Sequence, residues 1–180
     1  MIVVVEGSLS EARATAILRP VTSEWEAPTS AMRRLEMAAG PEVESQCRTL
    51  GELPVGTAVV TPAGNLPVEF LVHIVIRSVE EPVTPQGLRR ALGNGLRRLA
   101  EWAIENVALP PLGTGAGNLD PEEAADVMVP TILEHMDASS YPESVQIVVE
   151  TAYEREIFEQ RIQRARARAT SVGGEDSVTG

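Results

Sequence analysis

Lysine is absent from the chain: every basic side chain is an arginine, and fifteen of them stand against 26 acidic residues. Without lysine there is no Schiff-base chemistry and no Walker lysine, which excludes the P-loop of nucleotide hydrolases. A single cysteine, Cys47, rules out an internal disulfide, and its expected role is a small buried side chain on a helix. With only two histidines, His73 and His135, far apart in sequence, no dedicated metal site is expected. Aromatic residues are scarce, two each of Trp, Tyr and Phe, so platforms for stacking nucleic-acid bases are few. A net charge of −11 disfavours nucleic acid as a partner, because no general basic surface exists to displace counterions. No apolar run approaches the roughly 20 residues of a membrane span, and no membrane partner is expected. Met1–Val5 has no basic leader and is too short for a signal peptide, which leads to the expectation of a first strand in a cytoplasmic protein.

What is present alternates between two periodicities. Ile2–Val5, Thr15–Val21, Gly56–Pro62, Glu69–Ile76, Val107–Leu109 and Ser144–Glu150 read as strands. Between them lie helix candidates at about Thr29–Ala39, Pro41–Leu50, Thr84–Asn106, Pro121–Asp137 and Ala152–Ala169. Ser8-x-x-Glu11 has the form of a capping box. Pro130 predicts a kink or break in the fourth helix. Gly93 and Gly95 either weaken the third helix or admit a neighbouring element. Arg33, Arg34 and Glu36 read as a solvated face, and His73 as a core histidine with a hydrogen-bond partner. The arginines of Arg161–Arg168 are interleaved with alanine and partly offset by Glu154, Glu156 and Glu159. This order of elements argues for one α/β domain over residues 1–169 with a mixed, mainly parallel central sheet. Residues 170–180, small and polar, are expected to be a disordered tail.

One stretch stands out chemically. Leu109–Asn118 (LPPLGTGAGN) follows a short apolar run and leads into a helix capped by Asp120 with Pro121 in its first turn. Gly113, Gly115 and Gly117 allow positive φ and bring backbone N–H groups close to a ligand. A small-residue loop at the carboxyl end of a strand, opening a helix, is a place where phosphates sit. The same pattern also serves as a tight turn that binds nothing.

Several segments in order resemble the macro domain, the α/β/α module that typically binds ADP-ribose. They are Val5–Leu9, Thr15–Thr22, Met37–Gly40, Gly56–Thr61 with Asn65–Pro67 and Leu71–His73, and above all Pro111–Ala125. The resemblance spans about Ile2 to Ile162 and implies a three-layer α/β/α fold with a cleft at the carboxyl ends of the strands. It also implies a diphosphate held between two loops, the second being Gly113, Thr114, Gly115, Ala116, Gly117 and Asn118. By the same resemblance Ser8 and Leu9 stand at the base, Thr22 at the distal ribose, and Ser30 and Ala31 at the first loop. Departures are equally plain. Ser8 replaces an aspartate and Thr22 the last asparagine of the strand motif. Pro28-Thr29-Ser30 stands where the family carries a triple glycine, and Met32 where hydrolytic members often carry an acidic residue. Leu119 falls near the position of an aromatic that packs on the ligand.

Three readings follow. The first is a binding module for ADP-ribose or a related phosphorylated nucleotide, anchored on GTGAG, with no catalytic residue and no cofactor. The second is a hydrolase of ADP-ribosyl or O-acetyl-ADP-ribose substrates, in which Glu24 or Glu26 substitutes for the missing polar groups. The third is a non-catalytic homo-oligomer or partner-binding domain whose pocket has degenerated, with Trp25 or Met32 filling the ribose region.

Overall fold

Side chains alternate across strand β2, Ala16–Thr22, and this strand is buried at every position. Ile17 enters one apolar cluster and Leu18 the other, so β2 must be covered on both faces. The computed structural model, which describes residues 1–116 and 118–172, places β2 inside a six-stranded sheet of order β1-β6-β5-β2-β4-β3. The other strands are β1 (Ile2–Glu6), β3 (Ala58–Pro62), β4 (Phe70–Arg77), β5 (Asn106–Leu109) and β6 (Ser144–Val149). All neighbours run parallel except β3, which pairs antiparallel with β4 through register partners such as Val60 and Val72.

Helices α1 (Ser30–Ala39) and α2 (Pro41–Thr49) cover one face, packing Met32, Leu35, Val43 and Cys47 against Ile17, Val21, Leu71 and Val75. Helices α3 (Pro85–Glu101), α4 (Pro121–Ala138) and α5 (Ala152–Val172) cover the other, with Leu92, Leu96, Met128, Ile132 and Phe158 against Leu18, Ile74, Val107 and Ile147. The fold is thus the expected three-layer α/β/α arrangement with a mainly parallel sheet. No described helix is long and apolar enough to cross a membrane.

Helix ends follow local chemistry. Thr29 caps α1 by accepting from Met32 N at 3.3 Å, and Gly40 at φ 94° ends it. Asp120 and Glu123 form a reciprocal capping box on α4, at 2.8 and 2.9 Å. Several expectations need correction. Ser8-x-x-Glu11 does not make a capping box: Leu9–Glu11 is one 3-10 turn, and the Ser8 hydroxyl is bonded to Ser10 Oγ at 2.9 Å. α3 stops at Glu101, because Ala103 takes φ 52° and the chain turns into β5. Pro130 does not break α4; the buried stripe of Ala125, Met128, Val129 and Ile132 holds the helix against the core. α5 extends to Val172, past its expected end at Ala169, and the rest of the expected tail, residues 173–180, lies outside the described part.

Glu36 is not a solvated residue either. It turns inward to Arg19, at 2.6 Å, whose side chain is only 3 % exposed. Arg19 also donates from Nε to His73 Nδ1 at 2.8 Å. Because a guanidinium only donates, Nδ1 is the bare nitrogen and the proton sits on Nε2. That proton faces Thr61 Oγ1 at 2.7 Å, and Thr61 passes its own on to Pro62 O. Trp25 completes the cluster, its ring edge-on to His73 at 5.5 Å and its Nε1 donating to Gly51 O. Burial, then the neighbouring Arg19 charge, push the His73 pKa well below its ordinary value, while burial raises that of Cys47. His73 is therefore the bonded core histidine, and Cys47 the buried helical side chain, that the sequence suggests.

Two outcomes test this packing. A β-carbon on Gly95 would lie 2.8 Å from both Ile74 and Leu18, whereas one on Gly93 meets nothing within 4 Å. Gly93→Ala should therefore stabilise the protein by about 0.5–1 kcal/mol in urea unfolding, and Gly95→Ala should destabilise it by about 1–3 kcal/mol through overpacking. The second concerns acid. His73 stays neutral when folded, while an unfolded histidine takes a proton below about pH 6.5. The unfolded state then binds more protons, so stability falls as pH drops below that value, by at most about 1.4 kcal/mol per pH unit. Denaturation midpoints measured from pH 7 to 5 should show this slope, and His73→Gln should flatten it.

Candidate functional site

The carboxyl ends of the parallel strands all open on one side of the sheet, and there the chain leaves a cleft of about 270 Å³. Its walls come from distant segments. Gly7–Ser10 follows β1, Pro110 and Pro111 follow β5, Glu150 follows β6, and Pro28–Met32 opens α1. Pro20 of β2, Ile76 of β4 and Val148 of β6 contribute from the sheet itself. Gly7 is fixed by its N–H to Val149 O at 2.9 Å, which ties the end of β1 to its neighbour β6 at the cleft.

The glycine loop is pinned at both ends. Leu112 and Leu119 are buried, Leu112 N donates to Met128 Sδ at 3.2 Å, and Leu119 N to Gly113 O at 3.0 Å. Gly113 has φ 72° and Gly115 φ 119°, conformations that L side chains rarely adopt. At Gly113 a β-carbon would also come 2.9 Å from Val83. At Gly115 it would lie 3.4 Å from Thr29 Cγ2, so the loop reaches across to the cap of α1. The amides of Ser30 and Ala31, first in α1, precede that helix's own hydrogen-bond ladder. A helix N-terminus and a positive-φ loop thus approach each other at one side of the cleft.

Of the residues singled out in the sequence, Gly113, Thr114, Asn118, Ser8, Leu9, Ser30 and Ala31 all line the cleft. Gly115 and Ala116 are exposed just outside it, and Gly117 lies outside the described residues. Thr22 does not join them. Its hydroxyl accepts from Glu26 N at 3.0 Å, in a separate depression with Ser23, Glu24 and Arg77, so Glu24 and Glu26 are also away from the cleft. Leu119 belongs to the core. Met32 lines the cleft as a buried apolar side chain, and Trp25 packs on His73 instead of plugging the cleft.

Sequence reasoning missed the charged rim. Arg34 lines the cleft and bonds to Glu150, with Glu154 beside them. The Glu154 carboxylate accepts from Glu150 N, Thr151 N and Thr151 Oγ1 at 3.1–3.2 Å, so it occupies the N-terminus of α5. Arg34 was findable, since it lies four residues after Ser30 on the same helical face. Its acidic partner, 116 residues away, was not. Among the described residues no group of three metal-ligating side chains occurs.

Comparison with known proteins agrees with this architecture. An uncharacterised protein of Aeropyrum pernix is 35% identical over 126 residues, covering 66% of this chain, which spans 64% of that protein's length. An O-acetyl-ADP-ribose deacetylase of Citrobacter koseri is 33% identical over 137 residues, covering 70% of this chain and 77% of its own. Among solved structures, a mutant Oceanobacillus iheyensis macrodomain with ADPR superposes with a TM-score of 0.82 at 20% identity, over 91% of this chain and 92% of that one. A Trypanosoma brucei macrodomain in complex with ADP gives 0.81 at 16% identity, over 89% and 68%. The macro domain family model matches residues 27–128, which carry α1, the hairpin and the glycine loop. Spanning more than half of the sequence, that match makes this chain a member of the macro domain family.

Proposed function

We propose that the cleft binds ADP-ribose or a related phosphorylated nucleotide and does not hydrolyse it. The carrying observation is the approach of the Gly113–Asn118 turn to the N-terminus of α1, with Gly115 against Thr29. Amides on both sides of a narrow gap suit a diphosphate, whose charge spreads over several oxygens. Thr114 and Asn118 add polar side chains at the same place. Pro28 offers no N–H, so the first loop contributes through Ser30 and Ala31, and the glycine turn holds the larger share. Relatives named O-acetyl-ADP-ribose deacetylase raise the hydrolytic alternative. Against it, Thr22 is bonded outside the cleft and Met32 is apolar, leaving no group at those positions within reach of a water.

Calorimetric titration with ADP-ribose, ADP and inorganic phosphate tests the reading, and no heat from any of them at millimolar ligand overturns it. Gly115→Glu places a carboxylate at the gap between the loops. Like-charge contact of that kind costs several kcal/mol, so ADP-ribose affinity should fall by at least about tenfold, and by more than in Gly115→Ala, which carries the same backbone strain at φ 119° without the charge. Incubation with O-acetyl-ADP-ribose should release no acetate above the buffer rate.

A further inference from the structure

The cleft contains no aromatic side chain among its described residues. A nucleotide base nevertheless needs a flat partner, and where rings are lacking an arginine plane serves. Arg34 is the one guanidinium in the lining, held by a bond to Glu150. It stands one helical turn, about 5.4 Å, beyond the Ser30 amide, and arginine side chains on a helix lean back toward the N-terminus. Its charge is already matched by Glu150, and Glu154 adds a second carboxylate to the same rim. That rim is therefore net acidic and does not draw phosphate by charge, which leaves that role to the amides at the start of α1 and in the glycine loop. Ser8 and Ser10, whose hydroxyls bond each other, supply polar edges in the cleft for a heterocycle.

We propose that the Arg34–Glu150 pair is the base platform of this cleft: Glu150 fixes the guanidinium, and the nucleotide base stacks on its face. This rests on the nucleotide-binding reading above. Glu150 acts here as a positioning residue. A carboxylate-neutralised guanidinium contributes by its plane and polarisability more than by long-range attraction, so it tolerates any base with an open face.

Titration of ADP and inorganic pyrophosphate into the wild type, Arg34→Lys and Arg34→Trp separates plane from charge. Lysine keeps the charge without the plane, and tryptophan keeps a plane without the charge. Arg34→Lys should lower ADP affinity roughly tenfold, within the range of base stacking, and leave pyrophosphate unchanged. Arg34→Trp should restore ADP affinity to the wild-type level or above. The reverse order, with lysine retaining ADP binding and tryptophan losing both ligands, overturns the proposal in favour of a phosphate contact. Wild-type ADP binding no tighter than pyrophosphate also overturns it while leaving the phosphate clamp standing. Binding of neither ligand overturns both readings. Arg34 and Glu150 are 62% and 56% exposed, so folding is not at issue, and a thermal melt of each variant checks it.

Discussion

A guanidinium buried to 3% exposure has to be met by countercharge and acceptors, and Arg19 meets both at once. Glu36 on α1 takes one of its nitrogens, and His73 on β4 takes another, so one side chain on β2 links a helix to two adjacent strands. Breaking a buried pair from one side costs about 3–5 kcal/mol; Glu36 is partly exposed, so the present pair falls below the upper figure. Even so, the constraint is directional in a way that apolar packing is not. It sets where α1 sits along the sheet, and with it where the amides of Ser30 and Ala31 point.

The cleft inherits this geometry. On one side, the glycine turn approaches the cap of α1, with Gly115 beside Thr29. On the other, Glu154 accepts from the amides of Glu150 and Thr151 just ahead of α5, and Arg34 is paired to Glu150. Both helix starts that face the cleft carry a hydroxyl cap, Thr29 on α1 and Thr151 on α5, and at α5 the Glu154 carboxylate also takes the two amides just ahead of the helix.

The legible parts of the fold were those whose causes are local. Asp120-Pro121-Glu122-Glu123 carries its helix start within four residues, and Gly40-Pro41 carries both a stop and a start. The apolar runs of β2 and β4 announce burial on both faces, and so the layering. The misreadings have different causes. Arg19 sits in an apolar run and Glu36 on a polar helical face, and nothing local says that they meet across two elements. Pro130 shows the opposite failure, a local rule overruled by a buried stripe on both sides of it. At the site, the residues near glycine and serine were readable through turn chemistry. Thr22 was assigned as the last position of the strand motif, a match that cannot see the register shift that follows Val21. Arg34 and Glu150 became neighbours only through tertiary structure.

Parallel pairing of β1 with β6 joins Ile2 to Val145 and Glu6 to Val149. Among the described residues β1 has no other strand beside it, so its pairing waits for β6, the last strand in the sequence. As the chain is made, β1 stays without its sheet partner until β6 has emerged. Contacts of such sequence separation form late and slow the folding of a domain of this size. Ser8 and Glu150, which face the same cleft, are separated by nearly the entire described chain. The cleft is thus assembled as a closure event, complete only once β1 and β6 have paired.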